Sequence, residues 1–172
     1  MATPADASAI DALMKESGAA LFPSVYDEEQ TASLVRYVAE VDAMLLADET
    51  YFVLEAGGRL VGCGGWSRRD RLYTGSGDSI DDGRLLDPAR EPARVRAMFV
   101  RSDWTRRGLG RQILEACEAA AKAEGFRQLV LGATLSGLPL YLAYGFVAVE
   151  EFEVTLSDGV TLPCVSMQKP ID

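Results

Sequence analysis

One stretch of the chain combines a glycine turn with a cluster of arginines. Val95, Arg96, Ala97, Met98, Phe99 and Val100 form an apolar run broken by one charge. Residues 101–104 follow, and then Thr105-Arg106-Arg107-Gly108-Leu109-Gly110-Arg111. The pattern predicts a strand running into a turn that opens a helix. Glycine lets the backbone approach a ligand closely, and the first amides of a helix have no partner inside it. The helix dipole adds about 0.3–1 kcal/mol for an anion at that end. Arg106, Arg107 and Arg111 place positive charge there in an otherwise acidic protein. An anion of the pyrophosphate kind fits such a site.

Two common phosphate motifs are excluded. A P-loop needs Lys and then Ser or Thr after its glycines, and here Arg111 and Gln112 follow Gly110. A dinucleotide fingerprint needs a third glycine, and position 113 is Ile. The chain contains no histidine. That removes Ser-His-Asp and Cys-His nucleophile systems, histidine bases and most catalytic zinc sites. Cys63, Cys117 and Cys164 lie far apart, without a Cys-x-x-Cys pair, and are expected to be buried and reduced.

A second block, Thr134-Leu135-Ser136-Gly137-Leu138-Pro139-Leu140-Tyr141-Leu142-Ala143-Tyr144-Gly145-Phe146, lies one helix and one strand beyond the first. Together the two blocks resemble the GNAT N-acetyltransferase family. Its turn motif is Gln/Arg-x-x-Gly-x-Gly/Ala, and its later signature pairs a tyrosine with a following Gly-Phe. Thr105 stands where the family has Gln or Arg, and Leu140 replaces the usual aromatic. Ser136 and Gly137 stand where many members have Asn-Ala. The resemblance is good over residues 50–168 and strongest over 95–146.

The resemblance implies a bound acetyl-CoA as co-substrate, with no metal. Its pyrophosphate would sit on Arg106, Arg107, Gly108, Leu109, Gly110 and Arg111. Its pantetheine arm would pair with the backbone of Met98, Phe99 and Val100, whose strand splays from the next one. Thr134 and Ser136 would complete the cofactor site. Tyr141 would be the general acid that returns a proton to the departing thiolate, while Tyr144 would be structural. No general base stands out. Strand alternation would put Arg94, Arg96, Met98 and Val100 on one face, and Glu49, Asp70, Glu91 and Glu151 are undistinguished carboxylates.

The elements that must position these residues follow from the rest of the pattern. Apolar residues recur at helical spacing over 7–47 (Ile10, Leu13, Met14, Leu21; then Leu34, Val38, Val41, Leu45). Pro23 breaks the first run, and Asp27 or its neighbours can cap the second. Strands are expected at 51–56 and 59–66 around Gly57-Gly58. A long loop follows over 67–92, then a strand at 94–100 and a turn at 101–105. A helix starts near Arg106 or Arg107 and runs to 124, with Leu109, Ile113, Cys117, Ala120 and Ala121 on its apolar face. A strand at 128–133 and a short helix at 138–144 precede a closing pair at 146–156 and 160–168. This order predicts one α/β domain over 1–172: a mixed, mostly antiparallel sheet with one splayed parallel pair, flanked by helices. The family's N-terminal strand is expected to be absent or very short.

Composition bounds the function. The chain has 172 residues and a net charge of -9, eight units of it within residues 1–90. A nucleic-acid partner needs a basic face and is not expected. No apolar run reaches the ~18 residues of a membrane helix, and MATPADASAI has no signal-peptide pattern, so a cytoplasmic location is expected. The resulting expectation is an N-acetyltransferase acting on a small-molecule or peptide amine by direct attack. The acidic segments 27–29 and 78–82 suggest a cationic acceptor, Trp66, Tyr73 and the 67–92 loop could shape its pocket, with core packing an equal alternative for Trp66, and the family suggests a homodimer. The alternatives are a silent coenzyme A-binding sensor, an acyltransferase for a larger acyl group and a plain protein-interaction domain. The arginines of 67–71 are expected to be a solvated strand end.

Overall fold

The computed structural model describes residues 1–71 and 83–171. Three helices come first: α1 (Ala7–Leu21), α2 (Glu28–Tyr37) and α3 (Ala43–Ala47). The sheet and its remaining helices follow as β1 (Tyr51–Ala56), β2 (Arg59–Ser67), β3 (Ala93–Val100), α4 (Leu109–Ala123), β4 (Gln128–Thr134), α5 (Leu138–Tyr144), β5 (Val147–Thr155) and β6 (Thr161–Pro170).

The helical pattern over 7–47 resolves into separate pieces because caps interrupt it. Asp27 caps α2, its carboxylate accepting from the Gln30 amide at 2.8 Å while the Gln30 side chain returns to the Asp27 N–H. Asp42 caps α3 through the Met44 amide. The Phe22–Ser24 turn, with Pro23 inside it, ends α1.

The six strands lie in the order β1-β2-β3-β4-β6-β5. Every neighbouring pair is antiparallel except β3 with β4. Among the described residues no strand precedes β1. Ahead of the helices the Ala2 amide donates to the Tyr51 carbonyl at 2.8 Å.

Two apolar layers sandwich the sheet. On one face α1, α2 and α3 bury Ile10, Met14, Phe22, Leu34 and Leu45 against Tyr51, Phe99 and Leu162. On the other, α4 and α5 bury Ile113, Leu114, Cys117 and Tyr141 against Trp66, Val95, Leu129 and Met167. Each large apolar side chain taken fully from water contributes about 1.5–3 kcal/mol, so these faces hold the helices to the sheet.

Several boundaries differ from the pattern's prediction. α4 begins at Leu109, not at Arg106 or Arg107. Arg106 has φ +62° and Gly108 φ +81°, left-handed conformations that a right-handed helix cannot include. The 67–92 segment is not a plain loop at its base. The Arg69–Leu85 bridge joins its two sides, with Asp70 N–H donating to Arg84 O and Leu86 N–H to Arg68 O. Two of the arginines of 67–71 are paired, not merely solvated: Arg69 grips Asp48 with two hydrogen bonds at 2.7 and 2.9 Å, and Arg68 meets Glu124 at 2.9 Å. Tyr73 and the acidic run 78–82 lie outside the described residues.

Strand alternation on β3 is also broken. The register with β2 shifts between Cys63↔Phe99 and Gly65↔Arg96, and Ala97 has φ +52°. This is a β-bulge. It sends Met98 to the α4 face and Phe99 to the α1 face, so Arg96 and Met98 do not share a side. Gly64 lies opposite the bulge, where a Cβ would overlap Met98.

Candidate active site

The parallel ladder between β3 and β4 contains only Ala93↔Leu129 and Arg94↔Val130. Beyond Arg94 the strands separate and a cleft opens between them. It is lined from the α4–α5 face by Met98, Gly110, Gly137, Leu140 and Tyr141, and from the α1–α2 face by Ser17, Leu21, Phe22, Val38 and Arg96. Phe99, Val100, Thr134 and Ser136 line it as well. The split therefore brings most of the residues predicted for the site into one place.

The backbone of β3 supplies its wall. Arg101 N–H donates to Val61 O at 3.0 Å, and Phe99 lies opposite Cys63. The main-chain groups of Phe99 thus face β2, while those of Met98 and Val100 face the split. The Val100 carbonyl is already taken by the Ser17 hydroxyl at 2.7 Å. Ser17 lies far away in sequence on α1, and no local motif announces it.

At one end of the cleft lies the turn into α4. The first α4-type bond runs from Gln112 N–H to Gly108 O. Among the described residues, the amides of Gly108, Leu109, Gly110 and Arg111 have no hydrogen-bond partner, and α4 has no side-chain cap. A Cβ at Gly108 would meet nothing within 4 Å, so the turn faces open space. Gly110 has a different reason to lack a side chain: its Cβ would come within 2.7 Å of Leu140 on α5. The amides, the open approach and the helix dipole fit a diphosphate.

The three arginines differ. Arg106 is exposed and has no side-chain partner among the described residues. Arg107 stacks over Trp104 at 4.5 Å and donates to Asp103 O. Arg111 pairs with Glu115 at 3.2 Å and lies over the Tyr144 ring. Thr105, which departs from the family motif, donates its hydroxyl to Ser102 O at 3.1 Å and so braces the turn internally.

Tyr141 is 9% exposed and packs edge-on against Phe146, with ring centroids 5.8 Å apart. Its hydroxyl has no partner among the described residues, and burial holds its pKa well above the usual phenol range. It is a neutral, unpaired proton donor in the cleft wall. Gly137 makes room for its ring, since a Cβ there would lie 2.8 Å from it. Tyr144, by contrast, donates to Glu118 at 2.9 Å, and Lys169 meets the same carboxylate at 2.8 Å. Thr134 and Ser136 hydroxyls lie 3.1 Å apart. The strand end that carries them is held by Tyr26, which accepts from Leu135 N–H at 2.9 Å and donates to Pro163 O at 2.9 Å.

No carboxylate lines the cleft among the described residues. Asp70 is paired with Arg84 and Arg94. Arg84 also binds Glu91, pulling its pKa down to about 2. Glu151 is exposed on β5, and Glu49 precedes β1. Trp66 does not shape the cleft; it is 1% exposed and packs edge-on against Phe126. All three cysteines are free and buried. Among the described residues no set of three side chains could hold a metal ion, and no helix is long and apolar enough to cross a membrane.

Residues 47–148 match the sequence model of the acetyltransferase (GNAT) domain. None of the curated proteins matches the chain by sequence. Among solved structures, the chain resembles a GCN5-related N-acetyltransferase from Rhodopseudomonas palustris, with 21% identity, TM-score 0.74 and 98% of this chain and 92% of that one covered. It also resembles a PaiA N-acetyltransferase from Thermoplasma acidophilum in complex with coenzyme A, at 14% identity and TM-score 0.63, covering 98% and 95%. A putative acetyltransferase from Salmonella typhimurium with its cofactor acetyl-CoA gives 19% identity and TM-score 0.62, covering 99% and 91%. These likenesses speak for the fold, and the domain match spans more than half the sequence: the chain belongs to the GNAT acetyltransferase family.

Proposed function

We propose that this protein transfers the acetyl group of acetyl-CoA to a primary amine of its acceptor by direct attack. The single observation that carries this reading is the split between β3 and β4, with an open amide turn at one end and the unpaired Tyr141 hydroxyl in its wall. The amides of Gly108, Leu109, Gly110 and Arg111 hold the diphosphate, with Arg106 as the side chain most available to assist. Arg107 and Arg111 reinforce the field from their existing contacts. The main chain of Met98 and Val100 faces the acyl-bearing arm, and Phe99 contributes by fixing the strand. Thr134 and Ser136 close the opposite wall.

In the reaction, the neutral amine forms a C–N bond to the acetyl carbonyl carbon and the C–S bond breaks. The amine gives up its proton to solvent, Tyr141 donates its own to the departing thiolate, and the phenolate then recovers a proton from solvent, so the cycle closes. Burial keeps the phenol protonated at neutral pH, as a general acid requires. No residue is assigned as base, because no carboxylate among the described residues reaches the cleft.

The test is a thermal-shift titration with acetyl-CoA followed by a thiol-release assay over an amine panel. Burial pushes the Cys63 and Cys164 thiols up to about 12 and about 11, so the protein contributes little background to a thiol reagent. The reading requires a rise in melting temperature with acetyl-CoA and amine-dependent release of coenzyme A. Binding without release on any amine would instead indicate a carrier sensor. No binding at all would end the proposal.

A further inference from the structure

The α1–α2 face of the cleft is apolar wherever it is open. Leu21 ends α1 and Val38 caps the end of α2; both are half-buried and both line the cleft. Phe22 and Phe99 line it as well, buried edge-on to each other with ring centroids 6.3 Å apart. Apolar side chains left half open at a cleft gain free energy when a ligand covers them.

The polar groups on this face are already engaged. The Ser17 hydroxyl donates to Val100 O at 2.7 Å. Arg96 is 5% exposed, and its Nη2 lies 2.6 Å from the equally buried Asp42. The pair brings no net charge to the wall, and the Nε and Nη2 atoms of Arg96 are closed to it. The exposed acids at 27–29 stand at the start of α2. Val38 stands at the other end of this ten-residue helix, about 15 Å along its axis, so the acids do not reach the lining.

We infer that this wall takes the substituent of the acceptor, and that the acceptor is a primary amine with an apolar substituent. The inference deepens the acetyltransfer reading and rests on it. The α4 turn, Met98 and Tyr141 belong to the α4–α5 side, so a carrier seated there leaves the α1–α2 side as the approach for the amine. A long acyl chain passed through the split would fill that approach and block the amine. The wall also bears on the absence of an assigned base. An ammonium is disfavoured beside apolar groups that offer no counter-charge. The amine therefore leaves that proton in water before it docks, and reaches the carbonyl neutral. A second ammonium or a carboxylate on the substituent would lose its hydration and find no partner. The wall thus selects against the cationic acceptor that the acidic segments suggest.

The experiment uses amines of one length with three different ends: hexylamine, hexamethylenediamine and aminohexanoate. Thiol release from acetyl-CoA gives kcat/KM for each. Hexylamine is expected to exceed the other two by about ten-fold or more, because only its end is buried without losing a charge's hydration. Along the alkylamines from ethyl to hexyl, kcat/KM should rise about three- to four-fold per methylene until the wall is covered, mainly through KM. Val38→Asp puts a carboxylate into the wall at a half-buried position. It should lower the ratio of hexylamine to hexamethylenediamine about ten-fold or more, while acetyl-CoA still raises the melting temperature. Val38→Asn should weaken hexylamine without improving the diamine, which separates charge from polarity. The wild-type series decides the matter even where neither variant folds. Preference for the diamine or the amino acid, or no dependence on chain length, would overturn the inference. So would an unchanged ratio in folded Val38→Asp, or faster use of hexanoyl-CoA than of acetyl-CoA, which would give the wall to the acyl chain. Silence across the panel while acetyl-CoA still binds overturns it too and leaves the carrier site intact; absence of acetyl-CoA binding instead strikes the acetyltransfer reading itself.

Discussion

The two ends of the cleft are built by different means. The end proposed to face the carrier is made of main chain: amides at the start of α4, a left-handed turn, and the edge of a strand whose neighbour has moved away. The opposite end is made of side chains from distant segments, with Phe22 after α1 and Val38 after α2 beside Arg96 on β3, which Asp42 before α3 pairs from behind. Main-chain recognition depends on glycines and a helix start at fixed offsets, so many side-chain choices around it are tolerated. Side-chain recognition has no such fixed spacing. A fold can therefore keep its carrier end while its acceptor end varies.

The largest expected effect separates the two tyrosines of α5. Tyr141→Phe removes the unpaired hydroxyl and should lower kcat ten-fold or more, within the usual range for general acid catalysis, with acetyl-CoA affinity little changed. Tyr144→Phe removes a hydroxyl already bonded to Glu118. It should leave turnover near the wild-type level and cost about 1 kcal/mol of stability. Steady-state kinetics on both variants checks the pair. Equal losses would show that the ring positions, not the hydroxyl, matter.

The pH profile sharpens the same contrast. The acid must be protonated, and burial raises the Tyr141 pKa, so its loss of a proton is moved to higher pH. With a free phenol the rate would begin to fall near pH ~10. Here kcat should show no alkaline fall up to that point, while deprotonation of the acceptor amine makes the rate rise with pH. An alkaline limb near neutrality that vanishes in Tyr141→Phe would contradict the raised pKa, and one that persists there would belong to another group.

Next in size is the turn. Gly108→Val places a β-branched residue at φ +81°, which costs about 1–2 kcal/mol, and should weaken acetyl-CoA about ten-fold by distorting the amides. Denaturant melts and a KM for acetyl-CoA measure the two effects. The smallest effect belongs to Arg106→Ala, an exposed side chain. It should raise that KM about two- to five-fold at low salt, with the difference shrinking as salt screens it. A large, salt-insensitive loss would mean that side chains, not main chain, dominate the carrier end.

The legibility of the sequence follows the same division. The turn and the later Tyr141 block are each contiguous, so their residue types and spacing carry the fold class and most of the residues proposed for the carrier site. The bulge at Ala97 is not legible. Nothing in Arg-Ala-Met marks an extra residue, and its cause is the partner strand, where Gly64 admits Met98. The pattern misplaces the start of α4 by a few residues because Arg106 adopts a positive φ that arginine sequence preferences do not announce. Trp66 is ambiguous in sequence because an aromatic at the end of a strand can face a pocket or a core, and only Phe126 decides it. Ser17 is invisible there as a residue lining the cleft, and Asp42 as the partner of Arg96. Each acts on β3 from the α1–α3 side through a contact that spans many tens of residues, and such pairings leave no local pattern.

The claim on which the rest depends is that bare main-chain amides hold the carrier. Amide chemical shifts of Gly108, Leu109, Gly110 and Arg111, followed by NMR during a titration with coenzyme A, address it directly. Saturable shifts concentrated at these four amides, with protection from solvent exchange in the bound form, are the result expected. Binding of coenzyme A that leaves these four resonances unmoved would contradict the account.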